Sequence, residues 1–155
     1  MSDLEQMYQQ VILDHAKARH GSGLVTLDMP SMGESHQVNP TCGDEITVRV
    51  GLDGDKVASV SWEGQGCSIS QASASILTEL MDGVDLRQAD ETMEAFIALM
   101  HHRGEPLGDE RDDLLDDATA FTGVGKYPAR VKCALLSWVA LRDAIARATV
   151  GTEGS

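Results

Sequence analysis

The sequence predicts an α+β domain in which a small antiparallel sheet carries helices on one face. Three observations support this fold class. Apolar residues alternate with a period of two between residues 46 and 62, they recur at helical spacing before and after this stretch, and the turn sequence Asp53-Gly54-Asp55 divides the stretch in two. Strands that are grouped in the chain and followed by a run of helices are typical of α+β folds.

The alternating stretch predicts a β-hairpin. Residues 46–50 and 57–62 form its two strands, and apolar and polar side chains alternate in both. Before the hairpin, residues 24–37 are interpreted as a loop with Pro30 and Gly33, and residues 36–38 as a short strand candidate.

Four helices are predicted from the apolar spacing. They cover about residues 4–19, 68–81 and 90–102, and a last helix that begins at Pro128. Capping-box pairs occur at Ser2 with Glu5 and at Ser68 with Gln71, and Gly83 ends the second helix. Residues 104–125 are polar and predicted to be irregular, with one short helix near 114–118.

His15 and His20 are interpreted as surface or helix-face residues rather than metal ligands. Neither has a second candidate ligand three or four residues further along the helix, which is the spacing that a helical metal site uses.

Length and charge restrict the function. The 155 residues, 42% of them apolar, predict a single domain over 1–150 with a short tail at 151–155. A net charge of −13 excludes nucleic acid as a favoured partner. The absence of a signal-like segment and of a long apolar run predicts a cytoplasmic protein without a membrane span. A monomer or weak homodimer is expected. The acidic run at 109–117 is interpreted as a solvated face, or alternatively as a contact for a basic protein partner.

The three cysteines are the strongest functional signal. Cys42, Cys67 and Cys133 are odd in number and far apart, which does not fit a secreted disulfide framework. If the hairpin turns at Gly54, residues pair when their numbers sum to about 108, so Asp44 lies opposite Gly64 and Cys42 opposite Gly66. Cys42, Asp44 and Cys67 are therefore expected at the same open end of the hairpin.

The residues around these thiols suit a metal site. Asp44 lies two residues after Cys42, and Cys67 precedes a helix, where the helix dipole favours thiolate. Spacing alone does not place Cys133 against the hairpin. If it joined the others, three thiolates and one carboxylate would suit Zn²⁺. Nearby cations would offset the excess negative charge; the candidates are Lys126, Arg130 and Lys132.

At three segments the chain closely resembles the SufU family, whose relatives include the IscU-type iron–sulfur scaffold proteins. The segments are Val38-Asn39-Pro40-Thr41-Cys42-Gly43-Asp44, Glu63-Gly64-Gln65-Gly66-Cys67-Ser68-Ile69-Ser70, and Lys126-Tyr127-Pro128-Ala129-Arg130-Val131-Lys132-Cys133. The resemblance runs from about residue 3 to 148 and implies a three-stranded sheet with helices packed on one face.

This resemblance also implies a site and an activity. The implied zinc ligands are Cys42, Asp44, Cys67 and Cys133. SufU-type proteins take persulfide sulfur from a SufS-type, pyridoxal-phosphate-dependent cysteine desulfurase and pass it toward cluster assembly on downstream Suf scaffold proteins. The matching acceptor is Cys42, next to the flexible Gly43, and Arg130 is a candidate for electrostatic support.

Two alternatives remain open. One is a scaffold that assembles an Fe–S cluster on the same cysteines, and the other is a zinc-stabilised interaction module without chemistry. Lys132 stands where IscU scaffolds carry histidine, and the interval from Met81 to Tyr127 is long enough for the insertion typical of SufU. Both features favour sulfur transfer.

Overall fold

The computed structural model describes residues 3–26, 28–29, 31–41 and 43–153. The elements in chain order are α1 (Asp3–Ala18), β1 (Ser31–Asn39), β2 (Asp44–Asp53), β3 (Lys56–Gln65), α2 (Ser68–Met81), α3 (Leu86–Met100), α4 (Asp109–Leu115), a 3-10 helix (Asp116–Lys126) and α5 (Pro128–Glu153). The predicted α+β class is confirmed. Within the described ranges, no helix is both long and apolar enough to cross a membrane.

The three strands form one antiparallel sheet in the order β1-β2-β3. The turn between β2 and β3 falls where the sequence predicts it, and Gly54 has the positive φ of +63° that such a tight turn requires. The predicted register is wrong by two residues, because Gly64 pairs with Ile46 rather than with Asp44. A two-residue loop and an irregularity between Gly51 and Leu52 cause the shift.

The strand candidate at residues 36–38 is confirmed as part of β1, but β1 begins already at Ser31, so the loop predicted within residues 24–37 ends earlier than expected. Its inward-facing residues include Gly33, Ser35 and Asn39, while Met32 and Val38 on the other face are exposed. Small and polar residues face inward because α5 packs closely here: a Cβ on Gly33 would collide with the backbone oxygen of Ala144. A strand with this inverted pattern gives no apolar period-two signal.

Helix boundaries differ from the predictions at several points. Cys67, not Ser68, is the N-cap of α2. Helix α3 begins at Leu86 instead of residue 90, because the Asp85 carboxylate caps it by accepting the Gln88 N–H at 2.7 Å. The region 104–125 is more regular than predicted, with α4 and the 3-10 helix filling most of it. The capping box predicted at Ser2 involves a residue outside the described ranges.

The core lies between the sheet and the helices. Val48, Val50 and Trp62 line the inner face of the sheet and are buried. On the helices, Phe96 stacks on Trp138 with ring centroids 4.2 Å apart. Helix α5 crosses β1 and β2 and therefore brings residues from the C-terminal third of the chain onto the sheet.

His15 lies on a face of α1, one of the two predicted alternatives, but it is not a surface residue, because only 7% of its surface is exposed. Its ring nitrogens lie 3.0 Å from Ser75 Oγ and 3.1 Å from Asp117 Oδ2. His20 is about half exposed, as predicted, but its Nε2 lies 2.9 Å from Glu79 Oε1.

Candidate metal centre

Asp44, Cys67 and Cys133 come together at the end of the sheet where β2 begins and β3 ends. One ligand atom from each of these residues lies within 4.8 Å of the others. They belong to three different elements, β2, the start of α2, and α5. The fold thus brings together three of the four residues that the sequence predicts as ligands.

Asp44 is the first residue of β2 and pairs with Asn39 of β1. Only 2% of its surface is exposed. Its Oδ1 accepts the backbone N–H of Cys67 at 3.2 Å, and its Oδ2 lies 3.7 Å from the Cys67 sulfur, which donates to it as a thiol. A buried carboxylate is costly when it has no hydrogen-bond partner. The Cys67 N–H is such a partner, and it also holds the carboxylate in place.

Cys67 is the exposed N-cap residue of α2, with an extended backbone at φ −71° and ψ 171°. Its sulfur makes no capping hydrogen bond to the helix. Two side chains of the first helical turn secure the backbone instead: Ser70 Oγ donates to the Cys67 carbonyl at 3.0 Å, and Gln71 Nε2 donates to the Gly66 carbonyl at 2.8 Å. The exposed sulfur thus lies at the N-terminus of α2 beside the Asp44 carboxylate.

The glycines before Cys67 permit two separate close approaches. A Cβ on Gly66 would lie 2.8 Å from both Cγ and Oδ1 of Asp44. A Cβ on Gly64 would meet the backbone of Glu45 and Ile46 in the neighbouring strand. Gly66 therefore shapes the site itself, whereas Gly64 lets the two strands lie close together.

Cys133 lies on α5 with 4% of its surface exposed. Asn39, at the end of β1, directs its Nδ2 toward the Cys133 sulfur at 3.9 Å. The contact between α5 and β1 thus places this cysteine, a relationship that spacing in the sequence did not reveal. Sequence reasoning also gave Asn39 no role, although Asn39 opens the same Asn39-Pro40-Thr41-Cys42 segment as the first cysteine.

Cys42 lies outside the described residues. On either side of it, Thr41 and Gly43 are exposed and both contact Asn39. The Thr41 N–H donates to Asn39 Oδ1 at 3.2 Å, and the Gly43 N–H donates to the Asn39 carbonyl at 2.9 Å. Gly43 has a φ of +74°, a backbone conformation that favours glycine. Asn39 therefore organises the loop that connects β1 to β2 and also contacts the buried thiol.

The three described donors fit a zinc ion. With Zn–S bonds of about 2.3 Å and Zn–O bonds of about 2.0–2.2 Å, tetrahedral ligand atoms lie roughly 3.5–3.8 Å apart. The separation of 3.7 Å between Asp44 Oδ2 and Cys67 Sγ has this length. Thiolates are soft ligands, which favours zinc or an Fe–S cluster over Mg²⁺ or Ca²⁺.

Arg130 lies in the first turn of α5, three residues before Cys133, and is exposed. Its guanidinium carbon lies 5.0 Å from the ring centroid of Tyr127, a cation–π arrangement. Of the other two cations considered, Lys132 is exposed on α5 and the carbon chain of Lys126 lies beside Gly104.

Arg130 also borders a surface groove of about 590 Å³. Its lining includes Tyr8 and Ile12 of α1, and Lys126, Tyr127 and Arg130 from the chain around the start of α5. Ile69, in the first turn of α2, also lines it and connects the groove to the helix that begins at Cys67. The groove therefore combines apolar surface with two cations, Lys126 and Arg130, and one carboxylate, Asp112.

Known proteins resemble this chain over most of its length. Residues 7–134 match the family model of the NifU-like N terminal domain. The chain is 41% identical over 152 residues to the zinc-dependent sulfurtransferase SufU of Bacillus subtilis, covering 94% of both chains. It is 34% identical to the iron–sulfur cluster assembly scaffold protein IscU of Streptococcus pyogenes, covering 95% of this chain and 87% of that one.

Solved structures show the same fold. A SufU from the thermophile Fervidobacterium islandicum AW-1, provisionally assigned as an iron–sulfur cluster assembly scaffold of the SUF system, superposes with a TM-score of 0.73 at 34% identity, covering 91% of this chain and 98% of that one. The N-terminal part of a NifU-like protein from Brucella abortus superposes with a TM-score of 0.78 at 20% identity, covering 99% of each chain. The chain therefore belongs to the family of NifU-like N-terminal domains, in which its relatives are SufU and IscU proteins of iron–sulfur cluster assembly.

Proposed function

We propose that this protein is a zinc-dependent sulfurtransferase. It accepts persulfide sulfur from a SufS-type, pyridoxal-phosphate-dependent cysteine desulfurase and delivers it to downstream Suf scaffold proteins for iron–sulfur cluster assembly. The proposal is carried by the convergence of Asp44, Cys67 and Cys133 within 4.8 Å in a chain 41% identical to a zinc-dependent sulfurtransferase. Cys42 completes the ligand set and is the sulfur acceptor.

The transfer step balances without an external oxidant or reductant. The Cys42 thiolate attacks the outer sulfur of the persulfide on the desulfurase. A new S–S bond forms on Cys42 while the S–S bond on the desulfurase breaks, and the desulfurase cysteine leaves as a thiolate. The sulfur keeps its oxidation state, so the step requires only that Cys42 be ionised and accessible.

The environments of the other two cysteines support Cys42 as the acceptor. Cys133 is 4% exposed within a helix, which leaves no room for a partner protein to reach its sulfur. Cys67 is exposed, but its sulfur lies 3.7 Å from the Asp44 carboxylate and its backbone is bound on both sides. Cys42, by contrast, is covalently joined to the exposed Gly43, whose positive φ belongs to a turn.

Bound zinc would keep the ligating thiols ionised without oxidising them, since Zn²⁺ has no redox chemistry. The Asp44 carboxylate, already oriented by the Cys67 N–H, supplies the weakest and most exchangeable donor. Arg130 and Lys126 place positive charge along the nearby groove in a protein with a net charge of −13. They are suited to attract an anionic persulfide and to offset the charge of three thiolates and one carboxylate.

Sulfur transfer can be tested with purified desulfurase and cysteine. Wild-type protein should gain the mass of one sulfur atom, and the modified peptide should contain Cys42. Cys42→Ala should neither gain this mass nor accelerate desulfurase turnover. Loading of Cys42→Ala at the wild-type rate would refute the assignment.

The role of Arg130 can be tested in the same assay. Arg130→Gln should slow sulfur loading several-fold, while Arg111→Gln, which removes an exposed charge from α4, should not. Equal sulfur-loading rates in the two variants would show that Arg130 does not contribute to the transfer. Zinc content, measured in parallel, shows whether a slow variant has lost its metal.

A scaffold for a nascent Fe–S cluster is the second candidate function. It is favoured by the 34% identity to a protein named as an IscU scaffold and by the same thiolate donors, which also suit iron–sulfur clusters. Anaerobic reconstitution with iron and sulfide, followed by transfer to an apo-ferredoxin, tests it. A cluster that forms on wild-type protein and moves intact to the acceptor would support a scaffold, whereas retention of one tight zinc would favour sulfur transfer.

A further inference from the structure

A second group of metal-binding side chains lies where the end of α1 meets α2. One ligand atom each from His15, His20 and Glu79 lies within 4.8 Å of the other two. His15 is on α1, His20 follows it, and Glu79 is near the end of α2. More than three turns of α2 separate Glu79 from Cys67, or roughly 18 Å along the helix. This cluster is therefore separate from the thiols.

His15 is held with one ring nitrogen toward the cluster. The side chain is buried, and its Nδ1 lies 3.0 Å from Ser75 Oγ on α2. Its Nε2 lies 3.1 Å from Asp117 Oδ2 and 3.8 Å from Glu79 Oε2. If Nδ1 carries the proton and donates it to Ser75, the Nε2 lone pair faces two carboxylates. In this tautomer a metal ion between the ring nitrogen and the carboxylates would replace repulsion by coordination.

Ser75 fixes both histidines at once. Besides contacting the His15 ring, its Oγ accepts the backbone N–H of His20 at 3.0 Å. Metal-binding histidines usually donate their second ring nitrogen to a neighbouring acceptor, which sets the tautomer and orients the ring. Ser75 has the position of such an acceptor for His15.

The distances within the cluster match a coordination shell. For bonds of about 2.0–2.1 Å, tetrahedral ligand atoms lie roughly 3.3 Å apart. The nitrogen–oxygen distances here are 2.9, 3.1 and 3.8 Å. Two imidazoles and the Glu79 carboxylate form a mixed nitrogen and oxygen set, which suits divalent first-row transition ions. The Asp117 carboxylate, 3.1 Å from His15 Nε2, adds negative charge beside this set.

We propose that His15, His20 and Glu79, with the carboxylate of Asp117 beside them, bind a divalent first-row transition ion such as Zn²⁺. The side chains of His20, Glu79 and Asp117 are about half exposed, at 47%, 45% and 51%, so the ion can exchange with solvent. Binding joins the end of α1 to α2 through His15, His20 and Glu79, and so stabilises the packing of α1 on the rest of the domain.

The test measures zinc stoichiometry on protein whose thiolate centre is already filled. Equilibrium dialysis of this protein against added Zn²⁺ should give a second bound ion per chain in the wild type. His20→Gln and Glu79→Gln should each lose it while keeping the first. Both positions are half exposed, so these variants should fold, which a change at the buried His15 would not guarantee.

His36→Gln is the matched control, because His36 and Glu45 form an exposed pair with 53% and 47% exposure and an Nε2–Oε2 distance of 3.9 Å. This control should keep the second ion. Co²⁺ added to the zinc-loaded wild type should show ligand-field absorption without thiolate charge-transfer bands. A second ion that is missing from the wild type, that survives in both His20→Gln and Glu79→Gln, or that is lost equally in His36→Gln would overturn the proposal.

Discussion

The buried carboxylate of Asp44 accepts the backbone N–H of Cys67 at 3.2 Å, although 23 residues separate them in the chain. This bond ties the first residue of β2 to the N-cap of α2. It orients the carboxylate before any metal arrives and leaves the Cys67 thiol exposed. The geometry of the candidate metal centre therefore depends on how closely the chain around Gly66 can approach Asp44.

Gly66→Ala tests this dependence. The added Cβ would collide with Ser70 Oγ and lie 2.8 Å from Asp44 Cγ and Oδ1, so the Ser70 hydroxyl and the carboxylate that faces Cys67 must both move. Because displaced neighbours of a metal site typically cost about 10–100-fold in metal affinity, we expect a loss in this range. Competition with a chromophoric zinc chelator measures it.

Gly123→Ala is the control for that experiment. A Cβ at Gly123 has no heavy atom within 4 Å, and Gly123 does not have a positive φ. Its zinc affinity should equal that of the wild type. If Gly66→Ala also binds zinc with wild-type affinity, the close approach at Gly66 does not position the ligand.

The sequence predicted that Asp44 and Cys67 lie close together better than it predicted the register of the sheet around them. The motif residues Asp44 and Cys67 were expected at one end of the hairpin, and they meet there even though the predicted register was wrong by two residues. A β-irregularity at Gly51 leaves no mark in apolar spacing, so pattern reading cannot detect it. Cys133 could not be placed from spacing at all, because its position depends on how α5 packs against β1.

Removal of the metal should raise the alkylation rate of Cys67 more than that of Cys133. Cys67 is exposed, whereas Cys133 is 4% exposed and contacts Asn39. Zinc protects ligating thiolates from alkylation, so treatment with a chelator should make Cys67 react with iodoacetamide much faster than Cys133. Peptide mass mapping over time measures both rates. Equal protection of Cys67 with and without the chelator would show that it is not a ligand.

The contact between Ser35 and Asp143 should make stability depend on pH. The Ser35 hydroxyl donates to Asp143 at 2.7 Å, and this bond, with help from Arg147, lowers the pKa of the Asp143 carboxyl below its ordinary value of 3.8. A lowered folded-state pKa means that the stabilisation is complete above the unfolded-state pKa and is lost as pH falls through the folded-state pKa.

Asp143→Asn should therefore reduce the free energy of unfolding at neutral pH, and the difference from wild type should shrink below about pH 4. Urea unfolding from pH 7 down to the acid range, with chelator present throughout to exclude metal loss, measures this difference. In a Ser35→Ala background the pH-dependent part should be smaller, because the main cause of the pKa shift is gone. If the difference in the free energy of unfolding stayed constant into strong acid, the lowered pKa of Asp143 would not be its cause.

Gly33→Ala tests why the first part of β1, before residue 36, was not predicted from the sequence. Its strand buries small and polar residues because the backbone of α5 lies against it, and a Cβ on Gly33 would collide with the Ala144 carbonyl oxygen. Overpacking of this kind typically costs about 1–3 kcal/mol, so the free energy of unfolding should fall by that amount.

Met32→Ala is the matched control, because Met32 is the preceding residue and is 46% exposed on the opposite face. Its effect should stay within about 0.5 kcal/mol. Urea unfolding under equal zinc loading compares the two variants, and equal stabilities would show that α5 can move away from β1 at little cost.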